Sequence, residues 1–495
     1  MDEAQQSYIS VNYTHALNVL VAQRPNVIMQ LVAREHGRLS LSCNTDITVD
    51  LLALRDKGEL DFLMAGEVNA ELPFMGRQAE LPADAVSLLL EEPDGGFELF
   101  SAPKQPVSLS EYAIGLHVSR IVRDGGTLQL GIGGVGDAVA QALLLRHRGA
   151  VDALWERCPF HRSEEFAETG AFDTGLYSVT EMLVEGLLAL YEEEIIRREA
   201  DGAVIHAGFF VESRDFYRRL REMPPARRDK IAMVAVSFTN ALYGDEPGKR
   251  AARKEARFIN SAMKATLMGS VVSDATEDGQ VVSGVGGQFN FVEQALALDG
   301  ARSIITLPAT RQTRGRTVSN IVWSYGNVTV PRHMRDIVVT EYGIADLRGR
   351  SDAEVIAAML SITDSRFQDE LLDNAKRAGK IHRDYRIDDA HRTNTPEAVA
   401  GWLGEADEST LPRFPFGTDF SATEIRLMPA LEMLNHARTS RVFLAGLVRE
   451  GLLGTAVTHE AACLERMKLA DPSTLSERMT AAALRGALRR TDHQG

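Results

Sequence analysis

The sequence predicts an α/β fold in which mainly parallel sheets are covered by helices. Short runs of apolar and β-branched residues, bounded by Gly, Pro or Asp, have the length and composition of buried strands. Amphipathic stretches such as DAVAQALLLRHR, EMLVEGLLALYEEEIIRRE and SDAEVIAAMLSI lie between them, and this alternation is typical of a parallel sheet. The predicted strands are NVIMQLVA, LDFLMAG, TLQLGIG, GAVIHAGFF, KIAMVAVSF, ATLMGSVVSD, ARSIITLP and RDIVVTEYG.

The length of the chain and two breaks in its pattern predict three parts. A chain of 495 residues is too long for one ordinary core. The stretches SAPKQPVSLS at 101–110 and LGEADESTLPRFPF at 403–416 contain prolines and turn-forming residues. We therefore divide the chain into residues 1–108, 109–405 and 406–495. The last part is helical in pattern, so we expect two α/β domains and a helical C-terminal extension.

Composition and charge exclude several classes of protein. The net charge of −15 and the pI of about 5.4 argue against a nucleic-acid binder, which needs a basic face. Three scattered cysteines favour a reducing compartment without structural disulfides. Neither a secretory signal nor an apolar run long enough for a membrane span is visible. We expect a cytoplasmic enzyme without nucleic-acid or membrane partners.

A glycine-rich segment occurs twice, as TLQLGIGGVGDAVAQALLL at 127–145 and QVVSGVGGQFNFVEQALAL at 280–298. Each loop is predicted to follow a strand and precede a helix, where glycine allows positive φ or a close approach. Free N–H groups at a helix N-terminus favour an anion, so a phosphate, a carboxylate or a developing oxyanion would fit. A tight turn needed only for packing is the alternative. The aligned glycines are Gly131, Gly133 and Gly134 in the first copy and Gly284, Gly286 and Gly287 in the second.

The first glycine loop also has the G-x-G-x-x-G pattern of nicotinamide enzymes. That fingerprint expects an acidic residue about 20 residues further on, at the end of the next strand. Asp152 is near that distance, but the sequence around it is not a convincing strand, and the second copy lacks the third glycine. An NAD-dependent dehydrogenase is therefore only a remote alternative.

Carboxylates are the main candidates for catalytic groups, because the motifs of other catalytic sites are missing or incomplete. Cys158 and His161 form a lone C-x-x-H without a second pair of ligands, so we expect no metal site. The sequence contains no G-x-S-x-G motif, so a hydrolase with a serine nucleophile elbow is not expected. Two Thr-Glu pairs stand beside apolar runs, in SVTEMLVEG with Glu181 and in VVTEYGIADLRG with Glu341. An ordinary first-turn helix glutamate is the alternative for Glu181.

Longer motifs resemble a known family. SGVGGQFNFV followed by IVVTEYGIADLRG resembles the acetyl-CoA hydrolase/transferase family of class I CoA-transferases. That family includes 4-hydroxybutyrate CoA-transferases and succinyl-CoA:acetate CoA-transferases. DGGTLQLGIGGVGDAV resembles the family's DGxTLQxGIGxxPxAV, while HGRLSLS and GEVNAELPFM resemble weaker segments. The resemblance covers roughly residues 25–400. It implies two open α/β domains with mainly parallel sheets, the second containing both glycine loops and the catalytic glutamate.

The resemblance also implies roles for particular residues. Glu181 matches the family's nucleophile in a Thr-Glu-Met context, whereas Glu341 matches a segment that we take as mainly structural. Asn240, in VSFTNA, matches the family's asparagine between the glutamate and the second loop. The oxyanion donor is implied to be a main-chain N–H at Gly286 or Gly287. Contacts to the substrate and CoA are expected from Gly131, Gly133, Gly284, Gly286 and Gly287. Apart from the resemblance, the basic segment RQTRGR offers Arg311 and Arg314 for the phosphates, with a solvated basic loop as the alternative.

The implied activity is CoA transfer between an acyl-CoA and a carboxylate. Coenzyme A is then a substrate, no cofactor is permanently bound, and the enzyme is expected to be a homodimer or larger. Hydrolysis of acetyl-CoA, or binding of CoA by an inactive relative, are the alternatives. The sequence departs from the family pattern in three ways: Gly136 stands where proline is usual, more residues than expected separate the first loop from the Thr-Glu-Met segment, and the first domain is short.

Overall fold

Two sheets of mainly parallel strands organise the computed structural model, which describes residues 2–82, 84–92, 96–101, 103–313, 315–437 and 440–492. The chain divides into two units. The main unit comprises Met1–Thr310 and Ser319–Gly417, and the C-terminal unit comprises Arg311–Val318 and Thr418–Gly495.

The strands and helices alternate through most of the main unit. The strands are β1 (Val27–Glu35), β2 (Arg38–Ser40), β3 (Leu63–Val68), β4 (Glu80–Leu81), β5 (Leu88–Glu91), β6 (Thr127–Leu130), β7 (Tyr177–Met182), β8 (Ile205–Phe209), β9 (Ile231–Met233), β10 (Arg257–Ser261), β11 (Lys264–Thr266), β12 (Val271–Val272), β13 (Arg302–Thr306), β14 (Thr310–Thr313), β15 (Arg316–Ser319), β16 (Ile321–Val322), β17 (Ile337–Thr340) and β18 (Gly343–Asp346). The α-helices are α1 (Asp2–Ser7), α2 (Tyr13–Gln23), α3 (Asp46–Asp56), α4 (Leu109–Ser119), α5 (Gly134–His147), α6 (Asp152–Glu156), α7 (Glu185–Glu192), α8 (Arg214–Glu222), α9 (Pro225–Arg228), α10 (Val236–Thr239), α11 (Glu246–Ala252), α12 (Gln288–Ala297), α13 (Asp352–Ser361), α14 (Ser365–Arg377), α15 (Pro396–Leu403), α16 (Ala422–Ala437), α17 (Arg441–Leu453), α18 (Glu460–Arg466) and α19 (Leu475–Asp492).

The larger sheet has eight strands in the order β18-β17-β13-β10-β6-β7-β8-β9. Neighbouring strands are parallel except for the antiparallel pair β17–β18. Every residue of β6 and β17 is buried, as expected for parallel strands whose two faces are both covered. Strands β6 to β9 succeed one another in one direction, and β10, β13 and β17 in the other. The order therefore reverses between β6 and β10, and ligands bind at the carboxyl ends of strands beside such a reversal.

The smaller sheet has five strands in the order β4-β2-β1-β3-β5. Strands β1, β3 and β5 are parallel, whereas β2 and β4 join by antiparallel pairing. The chain leaves β2 through a segment that touches the end of β8, because Phe210 N–H donates to Cys43 O at 3.2 Å and Thr45 Oγ1 donates to Gly208 O at 2.6 Å. The start of α3 is thereby fixed at the carboxyl edge of the larger sheet.

The predicted α/β class is confirmed, but the predicted helix around Glu181 is wrong. Strand β7 continues through Met182, and α7 begins only at Glu185. The reason is long-range pairing, since Thr180 lies opposite Ala207 and Met182 opposite Phe209 of β8. Pairing in the sheet has outweighed a helical local pattern.

Three further predictions around short strands are wrong in detail. The run KIAMVAVSF is strand only to Met233, after which α10 begins at Val236. ATLMGSVVSD forms two antiparallel strands, β11 and β12, around a turn at Gly269 with φ of +90°. The second glycine loop follows an isolated bridge, Ala275–Val281, instead of a strand. In the first two runs the strand ends where the backbone turns, either into α10 or back to pair with β11.

A group of buried charges fixes the turn that follows β7. The Glu185 side chain is fully buried, and it accepts hydrogen bonds from Arg219 Nη1 and Ser213 Oγ, both at 3.0 Å. The Glu185 N–H donates to Glu212 Oε1 at 3.1 Å, and Lys104 Nζ lies 3.0 Å from Glu212 Oε2. Because each buried carboxylate has a cationic partner, this turn is held firmly only a few residues beyond Glu181.

The C-terminal unit has its own core, built from helices α16 to α19. Helices α17 and α19 approach so closely that a Cβ at Gly486 would lie 2.0 Å from Leu447 O, and one at Gly451 would lie 1.8 Å from Ala482 O. Glycine is therefore required at both positions. The predicted helical extension is confirmed. Among the residues that the structure describes, no helix has the length and apolarity needed to cross a membrane.

Candidate active site

Glu181 lies at the carboxyl end of β7, beside the reversal of strand order. The Thr180 hydroxyl donates to Met182 O at 2.9 Å and so fixes the end of the strand. On the neighbouring strand, a Cβ at Gly208 would lie 3.0 Å from Glu181 O, so a larger residue would push β8 away. The glutamate is thus placed by two strands, not by the first turn of a helix.

Asn240 ends the short helix α10 and faces the glutamate. Its Oδ1 accepts a hydrogen bond from Thr239 Oγ1 at 2.8 Å, which directs the amide nitrogen away from that hydroxyl. The Asn240 Nδ2 donates to Glu181 Oε2 in a short hydrogen bond. The side chain of Asn240 is buried, so this bond is largely shielded from water. The arrangement holds one carboxylate oxygen and leaves the other available.

The second glycine loop closes the other side of the carboxylate. A Cβ at Gly287 would lie 2.0 Å from Glu181 Oε2 and 2.4 Å from Asn240 Nδ2, and a Cβ at Gly286 would lie 3.4 Å from Glu181 Oε1. Gly287 is the N-cap of α12, and Gly286 has φ of +58°. A side chain at 287 would displace the Glu181 carboxylate and the Asn240 amide, so Glu181, Asn240 and Gly287 come together as the resemblance implied.

The first glycine loop ends β6, the strand next to β7. Gly131 N–H donates to Ile259 O at 3.0 Å, and Gly133, with φ of +101°, is the N-cap of α5. A Cβ at Gly136 would lie 2.3 Å from Gly131 O, so the loop is too tight for the proline that is usual in the family. The structure does not support a nicotinamide site, because Asp152, the acidic residue that such a site would need at a strand end, begins helix α6.

The electrostatic surroundings of Glu181 raise its pKa to about 7. Desolvation in the partly buried site is the main cause, the Asn240 hydrogen bond opposes it, and the charge of Asp46 adds to it. Asp46 accepts a hydrogen bond of 2.5 Å from the Tyr13 hydroxyl. Burial, Asp46 and Glu181 together raise the pKa of Tyr13 well above its usual range.

The sequence analysis missed Tyr13 and Asp46, because no local motif marks them. Tyr13 begins α2 and Asp46 begins α3, and both belong to segments that the topology folds back onto the larger sheet. For the N-terminal residues, the sequence showed only that they do not have the pattern of a secretory signal. A weak signal was available in Thr45-Asp46, a helix-start pair ahead of an apolar run.

The remaining predicted residues lie elsewhere. Arg311 is exposed on β14, within the C-terminal unit, and Arg314 lies outside the described residues, so their contact with a phosphate stays a prediction. Gly284 is exposed, with nothing within 4 Å of the position of a Cβ. Glu341 is buried at the end of β17, where it accepts the Ala309 N–H at 2.7 Å, and burial raises its pKa to about 7.

A cavity of about 490 Å³ lies beside Asn240. It is bounded by the start of α2, by α11 and by α12, and most of its lining residues are polar. Its lining includes Thr14, His15, Asn240, Tyr243, Asn290 and Gln294. Within the described parts of the chain, no group of three or more His, Cys, Asp or Glu residues is placed to hold a metal ion.

Replacing Glu181 with glutamine should stabilise the fold more near pH 8 than near pH 5. The folded chain keeps the carboxyl proton up to about pH 7, whereas the unfolded chain releases it near the ordinary value of 4.5. The free energy of unfolding of the wild-type protein therefore falls as pH rises through this window, and the Glu181→Gln variant lacks this loss. Urea unfolding across the pH range measures the difference, with Glu165→Gln, an exposed glutamate, as the control. An identical gain at both pH values would contradict the assigned burial.

Comparison with known proteins finds a family model that matches part of the chain. A family model described as the acetyl-CoA hydrolase/transferase C-terminal domain matches residues 213–375. This range includes Asn240, both residues of the Gly286–Gly287 turn, and Glu341, but it begins after Glu181.

Individual relatives agree. A succinyl-CoA:cyclohexane-1-carboxylate CoA transferase of Geobacter metallireducens is 27% identical over 355 residues, 70% of each chain. A 4-hydroxybutyrate coenzyme A transferase of Clostridium kluyveri is 25% identical over 351 residues, 69% of this chain and 70% of the relative. RipA from Yersinia pestis shares the fold, with a TM-score of 0.60 and 24% identity over 76% of each chain. The resemblance is therefore confirmed: residues 213–375 match the C-terminal domain of the acetyl-CoA hydrolase/transferase family, and the chain is an enzyme similar to CoA-transferases.

Proposed function

We propose that this enzyme is an acyl-CoA:carboxylate CoA-transferase that works by ping-pong through a glutamyl-CoA thioester on Glu181. The observation that carries the proposal is the position of the Glu181 carboxylate, held by Asn240 and packed against the Gly286–Gly287 turn. A carboxylate needs no base to become a nucleophile, so these few groups suffice for acyl capture.

The first step is attack of a Glu181 oxygen on the thioester carbonyl of an acyl-CoA. The pKa of about 7 means that the carboxylate is substantially ionised at neutral pH and yet more basic than an exposed glutamate. The attack forms a C–O bond, and the electron pair of the carbonyl moves onto its oxygen. The Gly287 N–H is suited to stabilise that oxyanion, and one such donor typically contributes about 3–4 kcal/mol.

The next steps exchange the acyl group for CoA. The C–S bond breaks, CoA leaves as thiolate, and the acyl group stays on Glu181 as an anhydride. The thiolate then attacks the glutamyl carbonyl, which releases the free acid as carboxylate and leaves a glutamyl-CoA thioester. An acceptor carboxylate runs the same steps in reverse and leaves as its CoA thioester, and Glu181 is regenerated as a carboxylate. Asn240, bonded to the same side chain, holds it through both carbonyl attacks.

Binding of the remote parts of CoA would drive the covalent steps. The cavity beside Asn240, whose amide is bonded to Glu181, is suited to hold part of the substrate. The phosphates require cations, and Arg311 and Arg314 remain our candidates from the sequence. Acyl-CoA and a small carboxylate are the proposed partners, and a homodimer in the cytoplasm stays our expectation.

Transfer and hydrolysis differ only in what attacks the intermediates. The relatives compared above are named as CoA-transferases of succinyl-CoA or 4-hydroxybutyrate, which favours transfer. We propose a short-chain acyl-CoA such as acetyl-CoA as donor. Acetyl-CoA hydrolysis is the alternative, because the matching family model covers both activities.

Chemical trapping tests the nucleophile. Acyl-CoA followed by borohydride should reduce the glutamyl thioester, and mass mapping should locate the modification on the peptide containing Glu181. The Glu181→Gln variant should give no modified peptide and should lose at least about a thousandfold in turnover. Equal turnover by this variant, or reduction at another glutamate, would exclude the mechanism.

The Gly287→Ala variant tests the turn. Its Cβ would overlap Glu181 Oε2, while the φ of −95° at this position strains no side chain, so the fold should persist and the carboxylate should move. We expect turnover to fall by at least about a hundredfold. Gly401→Ala is the control, since Gly401 lies in α15 with nothing within 4 Å of its Cβ position. Equal activity of both variants would contradict the role of the turn.

The acceptor dependence separates the two activities. CoA release from acetyl-CoA should be slow alone and should accelerate when succinate or another carboxylate is added, because transfer requires that the site exclude water from the anhydride and thioester. The new acyl-CoA should appear in equal amount. Release at full rate without an acceptor would establish a hydrolase.

A further inference from the structure

The N-terminal segment, defined here as residues 2–23 with α1 and α2, lies across the second glycine loop. Gln5 forms a pair of hydrogen bonds with the Val281 main chain, at 2.8 Å and 2.9 Å. Asn290 Nδ2 donates to Thr14 Oγ1 at 3.0 Å. Between these two anchors, the Tyr13 N–H donates to Gly286 O at 3.2 Å. The segment therefore binds the loop before, at and after its central turn.

The hydrogen bond to Gly286 O is important because the same peptide unit contains the Gly287 N–H, the proposed oxyanion donor. The C=O of Gly286 and the N–H of Gly287 belong to one planar, trans peptide unit, so they point in opposite directions. Two successive glycines have no Cβ to define that plane, and a flip of the unit costs little. A hydrogen bond at the oxygen fixes the direction of the N–H, and it also polarises the unit so that the N–H donates more strongly.

We propose that Tyr13 is a positioning residue whose main-chain N–H holds the Gly286–Gly287 peptide with the Gly287 N–H directed at the reacting carbonyl. This inference rests on the function proposed above and adds to it a part of the chain outside both glycine loops. The Tyr13 main chain thus completes the oxyanion site without itself touching the reacting carbonyl.

Tyr13 is suited to this role because helix α2 does not use its N–H and because its side chain is anchored. It is the first residue of α2, so the helix itself has no acceptor for its N–H. Its hydroxyl donates to Asp46 Oδ2 at 2.5 Å, and its ring meets Phe209 edge to face with centroids 6.0 Å apart. Both contacts tie α2 to elements next to Glu181 and hold the N–H in place.

A pair of variants isolates this N–H. Tyr13→Ala removes the phenol and keeps the N–H, whereas Tyr13→Pro removes both. Proline is tolerated at the first position of a helix, and the preceding Asn12 already has the extended conformation that proline requires, with φ of −68° and ψ of 150°. Both variants should fold, with equal melting temperatures and circular dichroism.

The kinetics of the full-length variants then decide. Tyr13→Pro should have a kcat about tenfold to a hundredfold below that of Tyr13→Ala, because a misdirected donor is lost from the transition state. The KM values of the two should agree within about twofold. Equal kcat values in folded proteins would overturn the inference.

Borohydride trapping on the wild-type enzyme distinguishes a failure of this inference from a failure of the proposed function. If trapping labels Glu181 while the two variants have equal kcat values, only this inference fails. If trapping labels no residue, the proposed function fails first.

A second comparison covers the case in which Tyr13→Pro does not fold. The double variant Gln5→Ala with Thr14→Val removes both flanking anchors, and Gln6→Ala changes an exposed neighbour. The double variant should lower kcat, and Gln6→Ala should not; kcat is the quantity compared because Thr14 also lines the cavity beside Asn240. No difference between them would overturn the inference equally.

Discussion

The hydrogen bond from the Asn240 amide to the Glu181 carboxylate is the contact on which the rest of the site depends. It joins the end of β7 to the end of α10, two elements that the strand order brings to the same edge of the larger sheet. The amide nitrogen faces the glutamate because Thr239 occupies the amide oxygen. The Asn240 amide is the donor that offsets the desolvation of this partly buried carboxylate, which lies between Asp46 and the glycine turn.

Much of this arrangement could be predicted from the sequence, for identifiable reasons. Parallel strands buried on both faces appear as continuous apolar runs, so the α/β class followed directly from β6, β13 and β17. The two glycine loops were visible because glycine spacing is a local property. The roles of Glu181 and Asn240 came from a resemblance, and the structure brings the two side chains into contact.

Other features depend on contacts that no local pattern carries. Glu181 looked helical because its flanking residues favour a helix, yet pairing with β8 keeps it in a strand. Asp46 reaches the site because the chain returns from the smaller sheet along the end of β8, and Tyr13 reaches it because α2 packs on Asp46 and Phe209. Gly136, which departs from the family pattern, is explained by the close approach of Gly131 O, a distance that exists only in the folded loop.

Oxygen exchange between substrate and enzyme tests the central claim most directly. Turnover in the presence of an acceptor carboxylate labelled with ¹⁸O should move one acceptor oxygen into the enzyme carboxylate per cycle, because the bridging oxygen of the anhydride stays on the glutamate when the thiolate takes the acyl group. Mass analysis of the peptide that contains Glu181 should show the label accumulating there. Sustained CoA transfer with no label in that peptide would show that this carboxylate never bonds to the acyl group.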